Sequence, residues 1–214
     1  MKVLSLEAPR ALEETISAVQ HGGVIAFPTD TVFGLGASLR FPEALDRIYA
    51  IKGRDNAKSL PVLLSSIDRI SLVSPTPPEP IQRLLREFWP GGLTVVLPAL
   101  PGLPPQVVAP DGTVGVRVPD HSIALTLCER AGGAFATTSA NRSGEAPACS
   151  AGDIAAQLDD GIDIVLDGGF APCGEASTVI RVDDARITVI RAGSIAPTRI
   201  AQAWSRIAAE QAAT

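Results

Sequence analysis

Short apolar runs ended by glycine or proline recur along the chain and predict the strands of a β-sheet. Residues 24–27 (Val-Ile-Ala-Phe) follow Gly22-Gly23 and precede Pro28, which is typical of a buried strand that ends in a turn. Within 60–64, Pro61 restricts the predicted strand to a sheet edge or to the start of a strand. Similar runs predict strands at 93–98, 113–118, 134–137 and 162–166, and a β-hairpin formed by 177–182 and 187–191.

Amphipathic stretches separate these runs and predict helices. Residues 42–52 place Leu45, Ile48 and Ile51 on one helical face. The same spacing predicts helices at 9–20, 67–73, 81–89, 123–131 and 154–158, and from 195 onward. No internal repeat divides the chain, so the sequence predicts one α/β domain over 1–214, with its core at about 11–196 and a C-terminal helix and tail at 197–214.

Composition places the chain among ordinary globular proteins, with 46% hydrophobic and 19% charged residues. A formal net charge of −5 provides no general attraction to nucleic acid or to anionic lipid, so any contact with nucleic acid would be weak and local or made by a partner. No signal peptide is recognisable in 1–7, and no apolar run reaches membrane-spanning length. We therefore expect a cytoplasmic protein that makes no membrane contact.

Cysteine and histidine suggest no metal centre and no histidine base. Cys128, Cys149 and Cys173 are widely spaced and form no CxxC pair, so we expect buried thiols. His21 and His121 each lie beside a predicted helix boundary and are expected to be cap or surface residues.

Polar residues follow the first predicted strand directly, as Thr29-Asp30-Thr31. In open α/β sheets, ligands bind at the carboxyl ends of strands. The alternative is that these side chains only stabilise a turn through local hydrogen bonds. Gly34 and Gly36 would allow close backbone approach to a ligand or a turn with positive φ.

A cationic loop follows the helix predicted at 42–52. Two of the three lysines of the chain, Lys52 and Lys58, flank Arg54 there, beside a glycine and an Asp-Asn pair. Point charges, a guanidinium fork and free amides together suit a polyphosphate. Cations that complement a helix C-terminus are the alternative. The loop is not a Walker A motif, because a glycine of that motif is missing.

An arginine, Arg117, lies inside a predicted apolar strand and needs an anionic partner, either an acidic side chain or a substrate carboxylate or phosphate. A second hydroxyl cluster, within 138–144, follows the strand at 134–137. Two such clusters that converge on one crevice are harder to explain as turns alone.

These motifs occur in an order that resembles the YrdC/Sua5 family, the threonylcarbamoyl-AMP synthases of tRNA modification. The resemblance extends from about 11 to 196. It rests on Phe27-Pro-Thr-Asp-Thr-Val-Phe-Gly-Leu-Gly36, Ile51-Lys-Gly-Arg54, Trp89-Pro-Gly-Gly-Leu-Thr94, Val116-Arg-Val-Pro119, Thr138-Ser-Ala-Asn141, and Ser177-Thr178 with Arg191. The chain departs from many relatives at Ser59, Leu63 and Pro147.

The resemblance implies a YrdC-like twisted mixed sheet, flanked by helices, with an open concave crevice for ligands. It implies L-threonine contacts from Thr29, Arg117, Thr137 and Ser177. It implies ATP contacts from Lys52, Arg54, Lys58, Thr113, Ser139, Asn141 and Arg191, with Lys52 and Arg54 also in catalytic roles.

The implied reaction forms threonylcarbamoyl-AMP and pyrophosphate from L-threonine, bicarbonate or CO₂, and ATP with Mg²⁺. A threonylcarbamoyl-transferase complex that acts on tRNA is the implied downstream partner. Two alternatives remain open: an RNA- or nucleotide-binding module without turnover, and a carbamoyl-transfer domain related to hydrogenase maturation. Few aromatic residues and a negative charge disfavour the first, and the absence of zinc-finger cysteine pairs disfavours the second.

Overall fold

The computed structural model describes residues 1–158, 161–168, 175–183 and 186–212. Within these ranges the strands are β1 (Lys2–Ser5), β2 (Ile25–Phe27), β3 (Gly34–Ser38), β4 (Val62–Leu64), β5 (Leu93–Pro98), β6 (Thr113–Arg117), β7 (Ala134–Ser139), β8 (Ile164–Asp167), β9 (Thr178–Asp183) and β10 (Arg186–Arg191). The helices are α1 (Ala11–Gln20), α2 (Pro42–Lys52), α3 (Glu79–Phe88), α4 (Ser122–Arg130), α5 (Ala151–Gln157) and α6 (Pro197–Ala212). Short 3₁₀ helices lie at Ile67–Leu72 and Pro105–Val107.

The described strands form one mixed sheet in the order β1-β8-β2-β3-β7-β4-β6-β5-β9-β10. Four neighbouring pairs are parallel, namely β1/β8, β8/β2, β4/β6 and β5/β9, and the others are antiparallel. Since β4 is antiparallel to β7 and parallel to β6, β6 and β7 run in opposite directions. Strands β2 and β7, which precede the two hydroxyl clusters, are both antiparallel to β3, so their carboxyl ends lie at the same edge of the sheet, whereas β6 ends at the opposite edge.

The pattern of hydrophobic residues in the sequence predicted most of the helices and strands that the structure contains. The α2 helix has the predicted bounds, and it ends at Gly53, whose left-handed backbone (φ 58°) turns the chain into the cationic loop. Pro61 directly precedes β4, a central strand, so it marks a strand start and not an edge. The predicted hairpin is formed by β9 and β10. Two strands, β1 and β3, had no predicted counterpart.

Glycine in β3 allows the close approach of the neighbouring strands. Gly34 and Gly36 lie within this strand and neither has a left-handed backbone, so the structure excludes the second of the two alternatives, a turn with positive φ. A Cβ at Gly36 would lie 2.5 Å from the carbonyl oxygen of Ala136 and 2.8 Å from the hydroxyl of Thr137. The absent side chain thus leaves room for Thr137.

The two faces of the sheet carry different cores. On one face, a cluster around Phe27, Leu63 and Phe135 packs under α1 and α4. Phe27 and Phe135 meet edge to face at 5.7 Å between ring centroids. On the other face, a larger cluster packs against α2, α3, α5 and α6.

Helices cover only part of the first face. Residues paired across neighbouring strands share a face, and the pairs Leu63–Arg117 and Val96–Gly115 extend this face to β6 and β5. The cluster under α1 and α4 contains no residue of β5, β6 or β9. Val96, Gly115 and Val179 are half-exposed there, so this part of the sheet is open to solvent and to ligands.

Two cysteine predictions have different outcomes. Cys128 is a fully buried free thiol, as expected. Cys149 is half-buried and disulfide-bonded, which corrects the expectation, because spacing along a sequence does not show which thiols meet in space. Cys173 lies outside the described residues. Among the described helices, none combines the length and the apolar character needed to cross a membrane.

Candidate functional site

A cleft of about 150 Å³ opens on the uncovered part of the first sheet face. Three arginines line it, Arg54, Arg117 and Arg191. Hydroxyl side chains form much of the remaining wall: Thr29, Thr31, Thr94, Thr137, Thr138, Ser139 and Ser177. The structure therefore brings the two hydroxyl clusters of the sequence together with guanidinium groups in one cavity.

Arg117 is the last residue of β6 and is 6% exposed. Its Nε donates to the carbonyl oxygen of Gly91 at 2.8 Å, and its Nη1 donates to Oγ1 of Thr31 at 3.1 Å. Its Nη2 donates to Oδ1 of Asp30 at 2.6 Å. The anionic partner that the sequence required is thus an acidic side chain of the protein, and part of the guanidinium still faces the cleft.

Arg54 and Arg191 have only neutral oxygen partners. Arg54 donates to the carbonyl oxygens of Lys58 and Ser59 at 3.0 Å each. Arg191 donates to the carbonyl oxygen of Ser177 at 2.8 Å and to its hydroxyl at 3.2 Å. In the described part of the chain, neither guanidinium forms an ion pair.

The electrostatics of the cleft reflect this concentration of positive charge. Burial lowers the pKa of Arg191, and the nearby charges of Arg117 and Arg54 lower it further. Burial is also the main cause of the lowered pKa of Arg54. Arginine stays protonated at physiological pH, so the cleft holds positive charge that lacks a full complement of anions. Such a site favours a phosphate or a carboxylate.

Lys52 lies behind the cleft wall and is 3% exposed. Its ammonium group donates to the carbonyl oxygens of Ser139 and Asn141 and to Oδ1 of Asn141. Burial, followed by the charge of Arg54, lowers the pKa of Lys52 to about 8. Lys52 therefore connects the end of α2 to the turn after β7.

The hydroxyl groups of the cleft differ in the number of hydrogen bonds that they form with other protein atoms. Oγ1 of Thr29 donates to the carbonyl oxygen of Val32 at 2.6 Å and accepts from the amide of Thr31 at 3.2 Å. The side chain of Thr29 thus stabilises the turn after β2 through local hydrogen bonds. Thr94 and Ser177 share a hydrogen bond of 2.8 Å. Oγ1 of Thr137 is buried and has no hydrogen-bond partner among the described residues, although Thr137 lines the cleft.

Three other residues predicted for the site do not line the cleft. Asn141 is buried, and its amide nitrogen donates to the carbonyl oxygens of Arg142 and Glu145. Lys58 is exposed in the loop after α2. Thr113 lies four residues before Arg117 on the same sheet face, and its hydroxyl donates to Asp111 at 2.6 Å.

Some residues of the cleft were not predicted as site residues, among them Thr31, Thr94 and Leu63. Thr94 is 3% exposed within an otherwise apolar strand, and an isolated polar residue of this kind is a signal in the sequence. Leu63 gives no such signal, because an apolar residue in a strand predicts only core. Both histidines, by contrast, were placed correctly as helix-boundary residues, and neither lines the cleft.

A larger cavity of about 540 Å³ lies between the loop at 74–80 and α6. Its wall is mainly apolar, with Pro75, Pro98 and Trp204, and its polar rim includes Thr113 and Arg181. Arg181 is paired with Asp111, so its charge is compensated. We assign the functional site to the smaller cleft, since the uncompensated cations lie there.

No group of three or more His, Cys, Asp or Glu side chains in the described ranges could hold a metal ion. The protein atoms of the cleft are therefore suited to anions, and a cation would enter it together with a ligand that supplies oxygen atoms.

Comparison with known proteins shows similarity over most of the chain. Residues 17–193 match the model of the Sua5/YciO/YrdC family, which is described by the words "telomere recombination". A curated threonylcarbamoyl-AMP synthase of Bacillus subtilis is 36% identical over 198 residues, which is 92% of this chain and 57% of the relative. The chain thus spans little more than half the length of that relative.

Two solved structures resemble the fold. The crystal structure of P. abyssi Sua5 complexed with L-threonine superposes with a TM-score of 0.87 at 32% identity, over 94% of this chain and 60% of that protein. The crystal structure of E. coli YciO superposes with a TM-score of 0.80 at 25% identity, over 90% of this chain and 95% of that protein. Both confirm the predicted α/β fold with a single twisted mixed sheet flanked by helices.

Proposed function

Because this chain belongs to the Sua5/YciO/YrdC family, we propose that it is an L-threonylcarbamoyladenylate synthase, a nucleotidyltransferase that uses ATP. The substrates are L-threonine, bicarbonate or CO₂, and ATP, and the products are threonylcarbamoyl-AMP and pyrophosphate. The names of the relatives favour this activity over a binding module without turnover and over carbamoyl transfer in hydrogenase maturation.

The observation that carries the proposal is the charge pattern of the cleft. Arg54 and Arg191 form no ion pair with any described residue and suit phosphate groups, whereas Arg117 is already paired with one carboxylate. A site with these two regions fits a ligand pair that consists of a polyphosphate and a small molecule with one carboxylate. ATP and L-threonine are such a pair.

The chemistry requires positioning more than it requires a protein base. The protonated amine of L-threonine releases its extra proton, and its nitrogen then forms an N–C bond to the carbon of bicarbonate as water leaves. An oxygen of the resulting carbamate attacks the α-phosphorus of ATP, the bond to the β-phosphate breaks, and pyrophosphate leaves with the electron pair. Alignment of the attacking and leaving oxygens and neutralisation of phosphate charge supply most of the acceleration in such transfers.

Most of the predicted site residues have a direct role in this proposal, and Lys52 has an indirect one. Arg117 holds the carboxylate of L-threonine, while Thr29, Thr137 and Ser177 contact the rest of the amino acid. Arg54 and Arg191 hold phosphate oxygens and stabilise the charge on the departing pyrophosphate. Ser139 contacts the nucleotide from the cleft wall, and Lys52 acts on it through the turn at 139–141 that it supports.

The remaining nucleotide contacts are placed along the same face. Gly115 lies between Arg117 and Thr113 on β6, so no side chain there separates the cleft from Thr113. The nucleotide can extend over Gly115 toward Thr113. Lys58 and Asn141 would contact ATP only after a rearrangement of their present surroundings.

Mg²⁺ is part of the proposed substrate and not a resident ion of the protein. Phosphate oxygens and water are its preferred ligands in nucleotide sites. It would enter as Mg–ATP beside Arg54 and Arg191. The product would pass to a threonylcarbamoyl-transferase complex that acts on tRNA.

The direct test is pyrophosphate release from ATP with L-threonine and bicarbonate present and with each omitted in turn. We expect release that requires all three substrates, and a threonylcarbamoyl-adenylate detected by mass spectrometry. Binding of ATP without any release would contradict the proposal and favour a binding module.

A variant pair tests the charge pattern. Arg191→Gln should lower the rate of pyrophosphate release about 10²-fold, because it removes an uncompensated cation from the cleft. Arg181→Gln is the matched control, since Arg181 lies on the adjacent strand but is paired with Asp111. Equal losses in the two variants would show that Arg191 has no particular role.

A further inference from the structure

Asp30 is the only carboxylate among the described residues that pairs with an arginine of the cleft. It belongs to the turn after β2, and its side chain is 16% exposed. Asp30 does not itself line the cleft, whereas its neighbours Thr29 and Thr31 do. Its carboxylate therefore contacts Arg117, at 2.6 Å, from outside the lining of the cleft.

The contacts of Arg117 leave a defined set of donors for a ligand. A guanidinium has five N–H groups, one on Nε and two on each terminal nitrogen. Gly91 accepts from Nε, Thr31 from Nη1 and Asp30 from Nη2. Among the described residues, the second N–H of each terminal nitrogen has no acceptor, and two such donors suit the two oxygen atoms of a single carboxylate.

Charge distinguishes Arg117 from the other two arginines of the cleft. Arg117 and Asp30 together are neutral, while Arg54 and Arg191 keep their full charge. A multiply charged phosphate is attracted by uncompensated cations and gains less from a neutral pair. A singly charged carboxylate can still use the directional donors of Arg117.

We propose that Asp30 is a positioning and specificity-determining residue, which holds Arg117 in orientation for a carboxylate and prevents it from binding phosphate. Asp30 thereby divides the cleft into a carboxylate subsite at Arg117 and a phosphate subsite at Arg54 and Arg191. This inference rests on the proposed function, because L-threonine is taken as the carboxylate ligand.

The first experiment uses the unmodified protein and isothermal titration calorimetry with L-threonine. We expect the affinity for L-threonine to be unchanged by inorganic phosphate at concentrations that saturate the phosphate subsite. Competition between phosphate and L-threonine in the unmodified protein would overturn the inference without any variant.

The second experiment uses Asp30→Asn, which keeps the size of the side chain and a hydrogen-bond acceptor but removes the charge. We expect the affinity for L-threonine to fall about tenfold. We also expect inorganic phosphate to become a competitor of L-threonine, because Arg117 is then unpaired. A merely structural role would not create this new competition.

Two control variants separate charge from orientation. Asp111→Asn removes the other Asp–Arg pair at this end of the sheet and should leave both affinities unchanged. Thr31→Val removes the second side-chain acceptor of Arg117 without a change in charge, so it should weaken L-threonine binding and create no phosphate competition. Thermal melting of each variant verifies that it is folded.

The outcomes distinguish this inference from the proposed function. If the unmodified protein binds no L-threonine and releases no pyrophosphate, the proposed function fails. If the unmodified protein is active and Asp30→Asn matches it in L-threonine affinity and in phosphate competition, only the role of Asp30 is overturned.

Discussion

Lys52 is a buried cation whose contacts are all neutral oxygen atoms. The sequence predicts it as a phosphate ligand, because it shares a loop with Arg54 and Lys58. In the structure its ammonium instead supports the turn that carries Ser139. Its contribution to nucleotide binding is therefore expected to be indirect, through the shape of that turn.

The lowered pKa of Lys52 predicts a specific pH dependence of stability. Between about 8, its pKa in the folded chain, and 10.5, its ordinary value, the unfolded chain binds more protons than the folded chain. The free energy of unfolding should therefore rise with pH through this window as far as Lys52 contributes. At lower pH both states hold the proton, and the burial of the charge is a constant cost.

Urea denaturation at several pH values between 7 and 10.5 measures this effect. Lys52→Met removes the titrating group while it keeps a long side chain. We expect the difference in free energy of unfolding between the unmodified protein and Lys52→Met to change in favour of the unmodified protein from about pH 8 upward. A constant difference across the range would show that the pKa of Lys52 is not lowered in the folded protein.

The sequence predicted some of the residues that line the cleft, but it did not predict which side chains those residues contact. An arginine within an apolar strand requires an anion, so Arg117 could be identified from the sequence alone. Asp30 lies 87 positions before it, and no local pattern joins the two. The unpartnered hydroxyl of Thr137 and the wall position of Leu63 likewise depend on how the strands are arranged.

Strand β3 shows how close packing between elements sets the shape of the site. Gly36 lies opposite Thr137 in the antiparallel pairing with β7. A side chain at this position would contact the backbone of Ala136 and the ring of Phe135. The approach of β3 to β7 therefore depends on glycine, and it fixes the depth of Thr137 in the cleft.

Substitution at Gly36 should accordingly be destabilising. Gly36→Ala is expected to lower the free energy of unfolding by roughly 1–3 kcal/mol, because the added methyl group overlaps atoms that cannot move freely. Gly152→Ala is the control: Gly152 lies in α5, where an added Cβ would make only an ordinary contact with Oγ of Ser150 at 3.6 Å, so alanine there should stabilise by up to about 1 kcal/mol. Chemical denaturation of both variants measures the difference. An unchanged stability in Gly36→Ala would show that β3 and β7 can separate without cost.

Helices and strands with a clear periodicity of hydrophobic residues could be predicted from the sequence. Those without such a periodicity could not. The α2 helix follows from its apolar spacing and its final glycine. Strand β3 is buried along its whole length and contains two glycines, so it has neither alternation nor β-branched residues. Strand β1 has three exposed residues among four and offers little apolar signal.

For the molecule as a whole, charge is distributed unevenly. The chain has a net charge of −5, yet three arginines line one cleft on the open part of the sheet, and two of them form no ion pair with the described residues. The class of the fold follows from the alternation of strands and helices in the sequence. The order of the strands does not, because pairings such as Lys2 with Ile164 join distant segments.

This distribution predicts weak binding to tRNA. At about 150 mM salt we expect a dissociation constant for tRNA weaker than about 10⁻⁵ M, because the overall negative charge opposes the phosphate backbone. Fluorescence anisotropy with labelled tRNA measures it, and ATP binding under the same conditions serves as the positive control. Tight tRNA binding that persists at high salt would contradict this prediction and indicate a dedicated RNA surface.

The place of β8 in the sheet has a consequence for biosynthesis. Since β8 lies between β1 and β2, the two strands made first are joined only by one made much later. Until residues 164–167 have been synthesised and have left the ribosome, no strand pairs with both β1 and β2. The sheet of the nascent chain is therefore incomplete at that position. Such chains present unpaired strand edges to other molecules, so we expect this protein to depend on chaperones during translation more than a protein built from consecutive hairpins.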